Sequence, residues 1–228
     1  MERLFDIFFS GMALIFLSPL LVPIIIILKC TGEGELFFMQ KRMGRHGVLF
    51  KLFKFATMLK DSPNLGTGTV TMREDPRVLP VGKFLRKTKI NELPQLLNVF
   101  FGEMSVIGPR PLTIQTFGSY SNITQDIIKK VRPGLSGVGS IIFRGEEEIL
   151  HGAHGSVDFY NNVIAPYKGA LEEWFVLNKG LYIYFLTIFI TIWVIFFPKT
   201  KVAWKVFRGL PEPPEELKLV LNYEKFEK

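Results

Sequence analysis

The chain is nearly without cysteine and poor in histidine: Cys30 is the only thiol in 228 residues, beside three histidines. A single cysteine excludes an intrachain disulfide, and so few soft ligands leave no basis for a Cys/His zinc cluster. Acidic residues are in deficit, 21 against 28 lysines and arginines, for a formal net charge of +7. Internal repeats and low-complexity tracts are lacking too. What is abundant is apolar: 48% of the residues are hydrophobic, with 22 phenylalanines. Basic and apolar character together point to an anionic membrane surface and phosphate-bearing ligands rather than to nucleic acid. The length allows one domain with a core of its own, plus membrane attachments.

Charge is missing altogether from Ile7 to Leu28, and such a run is long enough to cross ~30 Å of hydrocarbon as a helix. A cleaved signal peptide fits poorly, because Glu2 and Asp6 accompany Arg3 ahead of the run and no small-residue cleavage site follows. Ser18, Pro19 and Pro23 interrupt the run, and proline both removes a backbone donor and clashes with the carbonyl one turn back. A second uncharged stretch runs from Leu181 to Phe197. Basic clusters follow each stretch: Lys41, Arg42, Arg45, Lys51 and Lys54 after the first, Lys199, Lys201, Lys205 and Arg208 after the second. Two full spans would put these clusters on opposite sides of the membrane, against the positive-inside bias. A first run that turns back at Ser18-Pro19 keeps them on one side, and this re-entrant path is the expectation. Gly180, Tyr184, Thr187 and Thr191 form a less apolar stripe at helical spacing in the second stretch, suited to packing on the folded domain.

Between the runs, "GELFFMQKRMGRHGVLFKLFKF" predicts a β-hairpin with a basic glycine turn. "DSPNLGTGT" (61–69) is loop. "DPRVLPVGKFLRKTKINELPQLLNVF" predicts one or two helices, with Asn91 as an N-cap and Pro94 in the first turn of the second. "GPRP" and "VRPGLSGVGS" are rigid turns, and "GLPEPPEELKLVLNYEKFEK" is an extended linker leading into a marginal helix.

Asp75, Arg77, Lys83, Arg86, Lys87, Glu92, Glu103 and Arg110 crowd one stretch. Cations beside a few carboxylates suit a diphosphate with a divalent metal, and they equally suit a solvated basic face. "EEE" (146–148) is expected to open a solvated helix, and His151 and His154 to be loop residues without metal-ligand company.

The segments "FFMQKRMGRHGVLFKLFKFATM", "DPRVLPVGKFLRKTKINELPQLLNVFFGEMSVIGPRP" and "RPGLSG" resemble the bacterial sugar transferases, the monotopic polyprenyl-phosphate phosphoglycosyltransferases. The resemblance covers the chain to about residue 198. It implies a helix that re-enters the cytoplasmic leaflet at a Ser-Pro break, matched here by Ser18 and Pro19. It also implies transfer of a sugar 1-phosphate from a UDP-sugar to polyprenyl phosphate, through an Asp-Glu pair, Mg²⁺ and an aspartyl phosphosugar intermediate. Glu92 matches the family's glutamate and is the implied catalytic residue and metal ligand. Arg86 and Arg110 match phosphate- and nucleotide-binding arginines, and Lys54, likewise expected to hold phosphate, matches the lysine of a "KFR" segment whose arginine is Ala56 here. "GSIIFRGEEE" departs from the tryptophan-containing sequence of many members.

Asn91 stands where the nucleophilic aspartate belongs. An amide has no anionic oxygen to attack phosphorus and is a weaker Mg²⁺ ligand than a carboxylate. Three readings follow: phosphosugar transfer by direct attack or another nucleophile, glycosyl transfer to a lipid-linked acceptor with release of UDP, or an inactive membrane partner. The acceptor is polyprenyl phosphate or a polyprenyl-diphosphate sugar. The expected fold is α+β, mainly α: a re-entrant broken helix at 1–30, a catalytic domain at 31–180 with a small β-hairpin, interfacial amphipathic helices including an apolar helix and basic segment at 181–208, and a polar tail at 209–228. The expected location is the cytoplasmic face of a bacterial inner membrane.

Overall fold

The computed structural model describes residues 1–31, 33–62, 75–144, 157–198 and 200–223. "EEE" (146–148), His151, His154 and most of the loop at 61–69 lie outside the described residues. Helices dominate, with two small sheets, as expected for an α+β chain that is mainly α.

Helix α1 (Glu2–Cys30) continues without interruption past Pro19 and Pro23, so Ser18-Pro19 is not a gap in the helix. The reason is local. Pro19 has no N–H for the carbonyl of Ile15, four residues back, and the Ser18 hydroxyl donates to that oxygen at 2.7 Å. The helix is long and apolar enough to cross a membrane. Strands β1 (Phe37–Met43) and β2 (Leu49–Phe55) form the expected two-stranded hairpin. Its turn carries His46 and Gly47 at positive φ, 59° and 76°, and the basic glycine sequence supplies a residue that adopts this region at no steric cost.

Helix α2 (Pro80–Lys87) begins on a proline, whose missing N–H needs no partner at that position. A 3₁₀ turn, Ile90–Glu92, precedes α3 (Gln95–Phe101), which stops at Gly102 with φ 93°. Strand β3 (Ser105–Ile107) follows, then α4 (Ile114–Gly118) and α5 (Asn122–Ile128), capped by Thr113 and Ser121. Strand β4 (Gly134–Ser136) pairs in parallel with β3 and leads to α6 (Val138–Ile142). A π-helical turn, Tyr160–Ile164, opens into α7 (Ala165–Leu177), followed by α8 (Leu181–Phe196), α9 (Val202–Val206) and α10 (Glu215–Lys218).

The chain divides into two compact units, one of Asp6–Lys41 and Lys51–Gly102, the other of Met1–Phe5, Arg42–Phe50 and Glu103–Lys228. In the former, Ile24 and Leu28 of α1, Phe55 of β2 and Leu85 of α2 form the core. Gly82 lets α2 approach β2's continuation so closely that a Cβ there would lie 2.1 Å from the Thr57 carbonyl oxygen. Asn98, fully buried on α3, donates to the Lys51 carbonyl at 2.8 Å and accepts from Phe53 N–H at 3.0 Å, extending the β2 edge with a side-chain amide.

In the other unit the two glycine turns interlock. A Cβ on Gly134 would meet Gly108 N at 2.1 Å, and one on Gly137 would meet Gly108 O at 2.1 Å. The core lies around α7, with Ile164, Tyr167 and Leu171 against Phe143, Leu217 and Leu221. The tail therefore does more than the linker expected of it: Leu217 and Leu221 are buried, and Trp204 Nε1 donates to the Leu221 carbonyl at 3.3 Å. The stripe on α8 faces the fold as its spacing suggests. Tyr184 and Thr187 are buried, and the hydroxyls of Thr191 and Ser136 are 2.8 Å apart. Tyr182, Phe189, Ile192 and Phe196, on other sides of α8, are exposed.

Candidate active site

Lys89 sets the local geometry. It holds a left-handed conformation, φ 60° and ψ 10°, which turns the chain between α2 and the 3₁₀ turn. The helix after it then starts three residues late, with Pro94 at its N-cap. Asn91 is therefore not the helix cap expected of it. It sits inside the 3₁₀ turn, buried, and its Oδ1 has no hydrogen-bond partner among the described residues.

Glu92, the next residue, is half-exposed and meets Lys54 of β2, Nζ to Oε1 at 2.9 Å. Residues 38 apart in sequence are thus joined as an ion pair. The lysine holds the glutamate in place. Arg86, in the last turn of α2, is half-buried, and its guanidinium touches the Met58 sulfur at 3.4 Å. No carboxylate partner engages it among the described residues.

Arg77 is different. Its Nε and Nη2 reach the two oxygens of Asp75 at 2.8 and 2.6 Å, Nη1 donates to the Ser62 carbonyl at 2.7 Å, and both residues are buried. A bidentate, desolvated pair of this kind is a structural tie. Asp75 and Arg77 leave the pool of phosphate-binding candidates.

Arg110 belongs to the other compact unit and is exposed, with no ion pair among the described residues. Its turn is held at every step. Gly108 N–H donates to Ser136 O at 2.9 Å, Gly134 N–H to Pro109 O at 2.8 Å, Arg42 Nη1 to Pro111 O at 3.1 Å and Met43 N–H to Leu112 O at 2.9 Å. The N–H of Arg110 itself donates to Glu172 Oε1 of α7 at 3.3 Å. Glu172 had no place among the sequence candidates. Its only sequence signal is a charge in a largely apolar helix, and beside Lys168 it has the spacing of an ordinary solvated pair.

For the magnesium that the resemblance implies, no group of three or more His, Cys, Asp or Glu side chains forms among the described residues. Mg²⁺ is commonly held by one or two carboxylates completed by water and substrate phosphate. The Glu92 carboxylate and the unpartnered amide oxygen of Asn91 fit that partial set and would not suit an all-protein cage.

One unit thus carries a glutamate tied to a lysine and an arginine without a carboxylate partner among the described residues, and the other an interlocked Gly-Pro-Arg-Pro turn. A family profile described as "Bacterial sugar transferase" matches residues 1–198, and the chain belongs to that family. It is 37% identical over 163 residues to the UDP-glucose:undecaprenyl-phosphate glucose-1-phosphate transferase of Klebsiella pneumoniae, covering 69% of this chain and 34% of that protein. It is 35% identical over 159 residues to the exopolysaccharide production protein ExoY of Sinorhizobium fredii, covering 64% of this chain and 70% of that one. The undecaprenyl-phosphate galactose phosphotransferase of Salmonella typhimurium is 32% identical over 197 residues, 80% of this chain and 37% of its own. The chain thus spans about a third of the first and last of these relatives.

Proposed function

We propose that the protein transfers a sugar 1-phosphate from a UDP-sugar to a polyprenyl phosphate, at the cytoplasmic face of a bacterial inner membrane, in surface-glycan assembly. The names of the relatives support the donor and acceptor classes. The membrane setting follows from the acceptor, whose chain stays in the bilayer while its phosphate must meet a soluble nucleotide sugar. A re-entrant α1 that bends back at Ser18-Pro19 would keep the basic cluster that follows it on the cytoplasmic side.

The observation that supports phosphosugar transfer over glycosyl transfer is the Lys54–Glu92 ion pair. A glycosyl transfer to a hydroxyl needs a base to take its proton, and Glu92 is held as the partner of a cation. Polyprenyl phosphate arrives already ionised and needs no base. One of its oxygens attacks the sugar-bearing phosphorus of the UDP-sugar, the bond to the bridging oxygen breaks, and UMP departs with that oxygen. Asn91 then has no covalent role, and the direct attack needs no nucleophile at this position. Arg86 and Arg110 are each assigned to phosphate binding, within their own units. Glu92 would hold Mg²⁺, with Asn91 Oδ1 as a weaker ligand, and the ion would neutralise charge on the phosphates.

The test is the nucleotide released when full-length protein in nanodiscs is mixed with Mg²⁺, polyprenyl phosphate and a panel of UDP-sugars, with Glu92→Gln as control. UMP with a polyprenyl-diphosphate sugar is the expected outcome. UDP would replace this reading with glycosyl transfer, and neither nucleotide from any donor would replace it with an inactive membrane partner.

A further inference from the structure

Glu172 is an acid in a place where acids are costly. It lies on α7, 2% exposed, and one of its oxygens makes a hydrogen bond while the other, Oε2, has no partner among the described residues. Burial without full compensation is unfavourable for a carboxyl group, and a core packed for stability alone would use an apolar residue or a satisfied amide. The surroundings are nonetheless shaped around it. Gly139 of α6 stands so close that a Cβ there would lie 2.5 Å from Oε1. Lys168, one turn earlier on α7, is buried too. The charged groups that act on the carboxyl are Lys168 on its own helix and Arg110 on the Gly-Pro-Arg-Pro turn.

The bond that Glu172 makes is the informative one. The other ties on residues 108–112 come from main chain, or from Arg42 to a carbonyl. Glu172 is the acidic side chain in this set, and it reaches across 62 positions to the N–H of the residue whose guanidinium is exposed.

We propose that Glu172 is a positioning residue for Arg110. Its buried carboxyl anchors the main chain at the base of the arginine, so that the turn carrying the exposed guanidinium has little backbone freedom left to lose when a diphosphate binds. Preorganisation of this kind is read mainly in affinity for the phosphate-bearing ligand, since the anchored group is not itself at the reacting atoms. The inference rests on the assignment of Arg110 to phosphate binding made above.

The probe is UDP alone, titrated into the full chain in nanodiscs, with donor KM and kcat measured alongside. Arg110→Ala should weaken UDP about tenfold or more, as expected for loss of a charge-assisted contact. Glu172→Ala should weaken it to a similar degree, with kcat changed by less than about threefold, and the double variant should bind no worse than Arg110→Ala. Gly139→Ala, which keeps the acid but crowds it, should reproduce the loss. Glu172→Gln, which retains the acceptor oxygen, should recover most of the affinity. If Glu172→Ala does not fold, Gly139→Ala and Glu172→Gln carry the comparison. Thermal destabilisation in Glu172→Ala or Gly139→Ala with UDP affinity intact would overturn the positioning role and leave Arg110 as a phosphate ligand. UDP affinity unchanged in Arg110→Ala would overturn both that assignment and the proposal built on it.

Discussion

Lys54 Nζ lies 2.9 Å from Glu92 Oε1, so the glutamate is held in an ion pair by a strand residue 38 positions earlier. If Glu92 acts by holding the ion that would neutralise charge on the phosphates, Glu92→Gln lowers kcat by about a hundredfold or more while UDP affinity stays within about threefold. Lys54→Met combined with Glu92→Gln adds little to Glu92→Gln alone, because the two side chains act as one unit. Steady-state kinetics on the four proteins of this cycle check both points. Additive losses would mean that Lys54 serves the substrate independently of Glu92.

Asn91→Asp places a carboxylate beside Glu92 and in the turn where the amide oxygen is unpartnered. With UDP-sugar and Mg²⁺ and no acceptor lipid, this variant is expected to accumulate a covalent phosphosugar, seen as added mass on the intact protein. The natural chain is expected to carry none under the same conditions. An adduct on the natural chain would show that another side chain serves as nucleophile.

The Ser18 hydroxyl answers the Ile15 carbonyl that Pro19 leaves open. In an apolar setting an unmade hydrogen bond costs about 1–3 kcal/mol, so Ser18→Ala should lower thermal stability in nanodiscs by that order while Ser18→Thr keeps it. The single cysteine, Cys30, is exposed and gives a natural topology probe. In intact cells, Cys30 and an N-terminal tag should both be shielded from membrane-impermeant reagents if α1 returns to the side it entered from. Labelling of one end only would establish a span.

Burial pushes the Glu172 carboxyl up to about 7, against the pull of the Arg110 N–H and the Lys168 and Arg110 charges. The ordinary value is 4.5, so the folded state holds the proton more tightly than the unfolded chain. Its contribution therefore favours folding most below about pH 4.5 and is lost as pH rises towards 7. Glu172→Gln should remove this slope. Relative to the natural chain it should gain on the order of 3 kcal/mol between acid and mildly alkaline pH, measured by denaturant unfolding at several pH values.

Lys89 adopts φ 60° without being glycine. A left-handed lysine costs on the order of 1 kcal/mol, and asparagine tolerates this region better. Lys89→Asn is expected to raise stability by about 0.5 kcal/mol in the same unfolding assay. A loss would mean that the lysine side chain contributes more than its backbone costs.

The elements that the sequence made legible are those with a local signature. Alternation around a basic glycine turn marked the β1–β2 hairpin, and the spacing of Tyr184, Thr187 and Thr191 marked the face of α8 that packs inward. Local signals also misled. Asn91 has the composition of a cap, yet the left-handed turn at Lys89 moves the helix start past it. The proline-rich tail reads as linker, yet its Leu217 and Leu221 find an apolar core already built by α7. Lys168 and Glu172 have the spacing of a solvated pair, and only the neighbours of α7 bury them.

By itself the sequence determined a basic, apolar chain of the bacterial sugar transferase family, with an amide where that family's resemblance places an acid. Those properties reside in residue identity and short-range order. Tertiary structure decided which charges are already paired: Arg77 is bound by Asp75 and Glu92 by Lys54, while Arg86 and Arg110 have no carboxylate partner among the described residues. It also decided that Glu172, 62 positions from Arg110, is the acid beneath that arginine. Pairing and desolvation depend on which groups meet in space, and contacts between residues so far apart have no signature in the local pattern of the chain.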